Sequence, residues 1–165
     1  MSTISSLQLK RPGWQTVVIF TLTFWLSTSL VLDLVIMPGL YASGMMSQSG
    51  FATAGYLIFW IFNRIELLCA ALVLTGVLVV KRTQNTLVSQ SRNAIGLAMI
   101  LLTIALIFTY VLTPNMSALG LNIEVLDPVN AVPAGMGLLH QAYWILEVVK
   151  LIVGGAILSL FYRQN

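Results

Sequence analysis

The chain has 165 residues, of which 58% are hydrophobic and 13 are charged, eight Lys or Arg and five Asp or Glu. A soluble domain of this length usually carries about three times that charged fraction. The mean hydropathy of +0.94 agrees with this low charge. These values exclude a soluble globular enzyme, a disordered chain and a nucleic-acid binder that relies on basic density. Cys69 is the single cysteine, so an internal disulfide is also excluded.

Four segments are long and apolar enough to cross a hydrocarbon core of roughly 30 Å, which takes about 20 residues. They cover residues 17–37, 56–80, 95–112 and 138–161. Each should be a helix, because backbone polar groups in lipid must be satisfied within the segment. The sequence therefore predicts one all-α integral membrane domain over residues 1–165, an up-down-up-down bundle of four transmembrane helices.

Basic residues outside the spans lie on alternate sides of the predicted bundle. They occur before the first span, between the second and third spans, and after the fourth: Lys10, Arg11, Lys81, Arg82, Arg92 and Arg163. The first connection, 38–51, has no charge, and the third, 113–137, has only Glu124 and Asp127. The positive-inside rule then places both termini in the cytoplasm. The two non-cytoplasmic connections are rich in Gly, Ser, Asn and Pro, so we expect them to be irregular. The third, with Pro128 and Pro133, is also long enough to form a small cap or a short interfacial helix.

Five charged residues fall inside the spans: Asp33, Arg64, Glu66, Glu147 and Lys150. Helical rise places all five beyond the bilayer midplane at similar heights, for example Glu66 at ~22 Å from the cytoplasmic edge. On insertion scales, each such residue at a helix centre costs roughly 3 kcal/mol in insertion free energy. Five unpaired charges would therefore cost on the order of 15 kcal/mol. We therefore expect these residues to be paired, hydrated or covered by a partner.

Helical spacing predicts some of the pairings. Glu147 and Lys150 are three residues apart and share one face of a helix. Arg64 and Glu66 are two apart, so they point in different directions and cannot pair directly. Arg64 follows Trp60 by four residues, a spacing that allows a cation–π contact.

The fourth span carries a polar stripe at the spacing of a seam that faces other helices: His140, Tyr143, Glu147, Lys150 and Gly154. Together with polar residues of the other spans, the stripe forms a candidate intramembrane polar and charged cluster: Asp33, Asn63, Arg64, Glu66, His140, Tyr143, Glu147 and Lys150. Three interpretations remain open. The cluster is a structural polar zipper, a site for an ion, proton or small polar ligand, or a docking surface for another membrane protein.

Most catalytic and metal chemistries lack their residues in this sequence. Zinc sites need several His or Cys ligands, and a b-type haem held between helices needs paired histidines. His140 is the single histidine, so haem or quinone binding through it is conceivable only in a dimer. We therefore predict no metal, no cofactor, no catalytic residues and no enzyme activity.

The order of features resembles a known family. The first span ends at Pro38, the second opens with Gly55-Tyr56-Leu57-Ile58-Phe59, the third ends Leu112-Thr113-Pro114, and the fourth begins Leu138-Leu139-His140. This resembles the uncharacterised four-helix integral membrane family related to transmembrane protein 205, whose bacterial members form a domain of unknown function. The strongest matches are Pro114, Ala118 and His140. Gln141 and Tyr143 depart from the family pattern after the histidine. The sequence as a whole is similar to cyanobacterial members of that family. This resemblance implies a location in an inner (plasma) membrane or a thylakoid membrane.

Two functions are carried forward from the sequence. The first is a non-enzymatic accessory or assembly factor of a larger membrane complex, because the body is small and carries more intramembrane charge than a scaffold needs. The alternative is a small transporter or channel-like protein that binds protons or cations at the intramembrane carboxylates. The expected partners are the lipid bilayer and a larger membrane complex or a homo-oligomer, and no nucleic acid.

Overall fold

A computed structural model of the chain describes residues 13–45, 50–83, 88–126 and 135–162. The helices in chain order are α1 (Trp14–Val31), α2 (Met37–Ala42), α3 (Phe51–Thr83), α4 (Val88–Ile107), α5 (Thr113–Leu126) and α6 (Met136–Tyr162). A π-helical turn, Leu32–Ile36, joins α1 to α2, and another, Phe108–Leu112, joins α4 to α5. The described residues contain no strand, as predicted.

Four continuous rods are long and apolar enough to span a membrane. They cover Trp14–Ala42, Thr53–Thr83, Arg92–Gly120 and Met136–Tyr162, and are called the first to fourth spans. The prediction of four apolar spanning helices is confirmed. Around the bundle, α1 packs against α3 and α6, and α4 packs against the same two helices. Consecutive spans are therefore neighbours.

Two of the predicted span ends are wrong. We expected the first and third spans to end at residues 37 and 112, and the segments beyond to be irregular, with at most a small cap or a short interfacial helix in the second of them. Instead α2 and α5 continue the helical rods as far as Ala42 and Leu126. The predicted orientation of the termini rests partly on Lys10, Arg11 and Arg163, which lie outside the described residues.

The two prolines explain the π turns. A proline has no N–H to donate to an earlier carbonyl, and its ring clashes with the carbonyl four residues before it. Each proline lies two residues beyond a π turn. The turns close with i→i−5 bonds, from the Met37 N–H to the Leu32 carbonyl and from the Thr113 N–H to the Phe108 carbonyl. The wider turn makes room for the ring, so the helix continues.

The two halves of the bundle have different interiors. The half that contains Lys81 and Arg82, called the Lys81 half, has a continuous apolar core whose members include Val18, Leu22, Val73, Val77, Ala98, Leu101, Ile157 and Phe161. Gly76 brings α3 close to α1, since a Cβ there would overlap the Val18 side chain. The other half, called the Asp33 half, contains both π turns and the buried charged residues.

Candidate intramembrane carboxylate site

Glu66 on α3 is the centre of a hydrogen-bonded network. Its side chain is buried, and Oε1 accepts three hydrogen bonds. The Trp25 indole Nε1 donates at 2.8 Å and the Ser29 hydroxyl at 3.1 Å, both from α1. Lys150 Nζ on α6 is the third donor. Glu66 therefore joins three helices through one carboxylate oxygen.

Lys150 lies between two carboxylates and is 1% exposed. Its ammonium pairs with Glu66, and it lies 2.6 Å from Glu147 Oε2, three residues earlier on the same helix. The predicted Glu147–Lys150 pair is confirmed. The Phe108 ring centroid lies 5.3 Å from the ammonium, within cation–π range. These contacts compensate the burial of the cation, which is otherwise among the most costly groups to remove from water.

Asp33 lies in the first π turn, close to the same cluster. The Tyr143 hydroxyl donates to Asp33 Oδ1 at 2.7 Å. Asp33 is 5% exposed, yet its second oxygen, Oδ2, has no hydrogen-bond partner among the described residues. The same holds for Glu147 Oε1. A buried carboxylate oxygen without a donor is costly, so each marks a place where a further group can bind.

The charges of the cluster do not balance. Three buried carboxyl groups, Asp33, Glu66 and Glu147, lie with one buried ammonium, Lys150. If all four groups were ionised, the cluster would carry a net charge of −2 within the hydrocarbon region of a bilayer. A net charge there is expensive. A bound proton or cation would lower this excess, and Asp33 and Glu147 have the free oxygens to hold one.

A cavity of about 350 Å³ lies beside the cluster, at the end of the Asp33 half that is farthest from the Lys81 half. Asp33 supplies the single carboxylate among its lining residues. The remaining wall is largely apolar and comes from all four spans: Met37, Phe51, Gly55, Tyr56, Phe59, Thr113, Met116, Ser117, Gly120, Met136, His140, Tyr143 and Trp144. On each span, one lining residue lies farthest from the loop at this end of the bundle: Asp33, Phe59, Thr113 and Trp144. Asp33 therefore lies at the floor.

Asn63 belongs to a separate contact and fixes the second π turn. Its amide Nδ2 donates to the Phe108 carbonyl at 3.3 Å and to the Thr113 hydroxyl at 2.5 Å. The Thr109 hydroxyl donates to the Ala105 carbonyl at 2.7 Å and also lies 3.4 Å from the Asn63 backbone carbonyl. Asn63 thus ties α3 to both ends of the turn and supports the cavity wall formed by Thr113.

Arg64 is not part of the charged network. It is exposed on the outward face of α3, where its guanidinium lies 3.6 Å from the Trp60 ring centroid. Its Nη1 also donates to the Trp60 carbonyl at 3.5 Å. The cation–π contact allowed by the sequence is confirmed. The expectation that all five intramembrane charges lie in one layer holds by height, but Arg64 faces away from the other four.

His140 lies at the rim of the cavity and is exposed, whereas Tyr143, Glu147 and Lys150 continue the stripe inward. The site therefore consists of Asp33, Glu66, Tyr143, Glu147 and Lys150. His140 and Asn63 border it, and Arg64 is separate.

The sequence analysis missed Trp25 and Ser29, the two α1 donors to Glu66. A signal for them was present: Trp25, Ser29 and Asp33 recur every four residues and so share one helical face. It also missed the π turns, whose signal is the proline that follows five residues after Asp33 and after Thr109.

The length and apolarity of the four spans define the class: a helical integral membrane protein with a polar, cavity-bearing half. No family model matches the chain, and no curated protein or solved structure matches it either.

Proposed function

We propose that this protein is a non-enzymatic membrane carrier that binds a proton or a cation at Asp33 and moves it through the carboxylate cluster. The observation that carries the proposal is Asp33, a buried carboxylate that lines the cavity and whose Oδ2 accepts no hydrogen bond from the described residues. A structural zipper has no need of an unsatisfied carboxylate, and polar groups buried without partners are rare in folded proteins. The charge imbalance of the cluster favours the same role.

The cluster contains the groups for a short relay. A proton or cation that enters the cavity meets Asp33 first, and Tyr143 links Asp33 to α6. Glu147 lies one turn farther along α6, and Lys150 joins Glu147 to Glu66. Intramembrane chains of carboxylates are the usual components of such pathways. If Lys81 and Arg82 lie at the cytoplasmic surface, as the positive-inside rule predicts, the cavity opens to the opposite side. An inner or thylakoid membrane is consistent with that orientation.

Proteoliposomes that contain a trapped pH indicator test the carrier directly. A potassium diffusion potential drives protons inward, and we expect wild-type protein to acidify the lumen faster than protein-free liposomes. Asp33→Asn keeps the shape of the side chain and removes the acid, so it should lose most of this flux. Glu147→Gln should also reduce it. Arg64→Gln, outside the network, is the control and should leave the flux unchanged.

Equal acidification by wild-type protein and protein-free liposomes would contradict a proton carrier, as would full activity of both Asp33→Asn and Glu147→Gln. Size-exclusion profiles of the purified variants in detergent show whether each is folded, so lost flux can be separated from lost protein.

A second function, an accessory or assembly factor of a larger membrane complex, is favoured by a different observation. Arg64 is exposed on α3 at ~26 Å from Lys81 along the helix, and no carboxylate pairs with it within the described residues. A charge on the lipid-facing side of a span is hard to sustain without a partner. A carboxylate on a neighbouring transmembrane helix would compensate it.

Site-specific photo-crosslinking in native membranes tests this second function. Leu68 lies one turn from Arg64, and Ile152 lies on α6; both side chains are 66% exposed. We expect a crosslinker at Leu68 to give one defined adduct that disappears with Arg64→Gln, and a crosslinker at Ile152 to give none. Protein that purifies alone in mild detergent and forms no Leu68 adduct would argue against an accessory role.

A further inference from the structure

We propose that the cavity binds a monovalent organic cation with an apolar body, such as a hydrophobic quaternary ammonium. This inference names the substrate class and rests on the proposed carrier function. Three features of the cavity support it: its single carboxylate, its wall of aromatic and methionine side chains, and its size.

The carboxylate sets the charge of the ligand. Asp33 is buried and lines the cavity, and its Oδ2 accepts no hydrogen bond from the described residues, so this carboxylate can form an ion pair with a ligand. Its other oxygen is already held by the Tyr143 hydroxyl, which fixes the orientation of the carboxylate. No Lys or Arg is among the lining residues, so an anionic ligand would face a negative group with no compensation.

The wall sets the rest of the ligand. Phe51, Tyr56, Phe59, Tyr143 and Trp144 give the cavity five aromatic rings beside one carboxylate. Aromatic faces attract cations, and cages of such rings recognise quaternary ammonium groups. The Tyr143 ring is held in place by edge contacts at 6.0 Å to Phe59 and 6.2 Å to Trp144, measured between centroids.

Methionines supply adaptable apolar surface around the rings. Met37, Met116 and Met136 line the same cavity. Unbranched thioether side chains fill irregular gaps and adjust to ligands of different shape. A small hydrated metal ion would gain little from such a wall, because hard cations select several oxygen ligands. An organic cation uses both the carboxylate and the apolar wall.

The volume suits a small organic molecule. Ligand cavities run from about 300 to 1,000 Å³, and 350 Å³ is at the lower end of that range. Exposed lining residues nearer the loops, among them Tyr56 and His140, leave the cavity open at the surface. A ligand can therefore enter without separation of the spans.

Equilibrium binding to the full chain in lipid nanodiscs tests the ligand class. Radiolabelled benzyltrimethylammonium is the probe, since its positive charge is fixed and its body is apolar. Neopentylbenzene has the same shape with carbon in place of the charged nitrogen, and is the matched neutral competitor. We expect saturable binding of the cation and at least about tenfold weaker competition by the neutral compound, the factor that corresponds to one ion-pair or cation–π contribution.

Two pairs of variants locate the site. Asp33→Asn should weaken cation binding at least about tenfold, whereas Glu147→Gln, in the same cluster but not among the lining residues, should change it much less. Trp144→Leu should weaken binding and Trp60→Leu should not. These two tryptophans are similarly exposed, at 45% and 40%, but only Trp144 is among the lining residues.

Equal competition by neopentylbenzene, or unchanged binding to Asp33→Asn, would overturn the proposal and leave an apolar pocket of the kind that a lipid chain fills. The comparison of the two compounds uses wild-type protein, so it does not depend on the folding of any variant. Binding without flux of either protons or the radiolabelled cation in proteoliposomes would contradict the carrier function alone. Proton flux without cation binding would contradict the ligand class alone.

Discussion

The Lys81 half and the Asp33 half of the bundle use the same four helices in different ways. In the Lys81 half, small and branched apolar residues fill the interior, and Gly76 lets α3 approach α1 until a Cβ would overlap Val18. In the Asp33 half, π turns interrupt two spans, charged groups occupy the interior, and a cavity remains open. The first arrangement stabilises the bundle by close packing. The second leaves a cavity and carboxylate oxygens without donors among the described residues.

The largest expected effect on the free energy of unfolding comes from the buried Lys150, and the exposed Arg64 is its contrast. Lys150→Met removes the ammonium that pairs with Glu66 and Glu147, and leaves these two buried carboxylates without a cation among the described residues. Breaking a buried ion pair in this way costs about 3–5 kcal/mol in the free energy of unfolding. Arg64→Met, on the exposed face, should cost less than about 1 kcal/mol. Unfolding in detergent, followed by circular dichroism, measures both. Equal losses would show that the buried pairs do not stabilise the Asp33 half.

Close packing in the Lys81 half predicts the next effect. Gly76→Ala places a methyl group against the stiff, fully buried Val18, and should lower the free energy of unfolding by about 1–3 kcal/mol. Gly96→Ala is the control, because a Cβ there meets nothing within 4 Å and alanine favours helix. The same unfolding assay applies. A stable Gly76→Ala protein would mean that the two helices separate easily at this point.

A smaller effect is expected from one donor in the Asp33 half. Trp25→Phe keeps an aromatic ring in the core and removes the N–H that donates to Glu66. Since Ser29 and Lys150 still donate to the same oxygen, we expect a loss of about 1 kcal/mol. Trp60→Phe, on the exposed face, is the control and should be neutral. No difference between the two variants would exclude a contribution of the indole hydrogen bond.

The smallest effect on stability, with a clear effect on binding, is expected from the first π turn. Pro38→Ala restores an N–H and removes the clash, so the turn can return to α-helix and rotate Asp33 away from Tyr143. We expect little change in the free energy of unfolding, because the π turn already accommodates the ring, but weaker benzyltrimethylammonium binding. Gly39→Ala, the adjacent position with open space around its Cβ, is the control. Unchanged binding by Pro38→Ala would show that the π turn does not position Asp33.

Much of the site was predictable from spacing along single helices. The Glu147–Lys150 pair and the Arg64–Trp60 contact follow from residues three or four apart, because such residues are neighbours on one helical face. Glu66 could be recognised as a buried charge that needed partners, but Trp25 and Ser29 could not be assigned to it. Those bonds join residues 41 and 37 positions apart on different helices.

The two prolines show where pattern reasoning gave a wrong boundary. The apolar runs predicted spans that end at residues 37 and 112, one and two residues before Pro38 and Pro114. The helices continue since a π turn accommodates each ring. Whether a helix ends before a proline or continues through a π turn depends on the contacts around that turn. Asn63, for example, donates to the Phe108 carbonyl from a neighbouring helix.

The sequence by itself determined four apolar helices and the heights of the charges along them, because hydropathy and helical rise are properties of single segments. The tertiary structure decided which charges meet. The rotation of each helix about its axis, set by packing against its neighbours, turned Glu66 and Lys150 inward and Arg64 outward. It also left Asp33 with one free oxygen at the floor of a cavity, since that cavity exists only between the ends of all four spans.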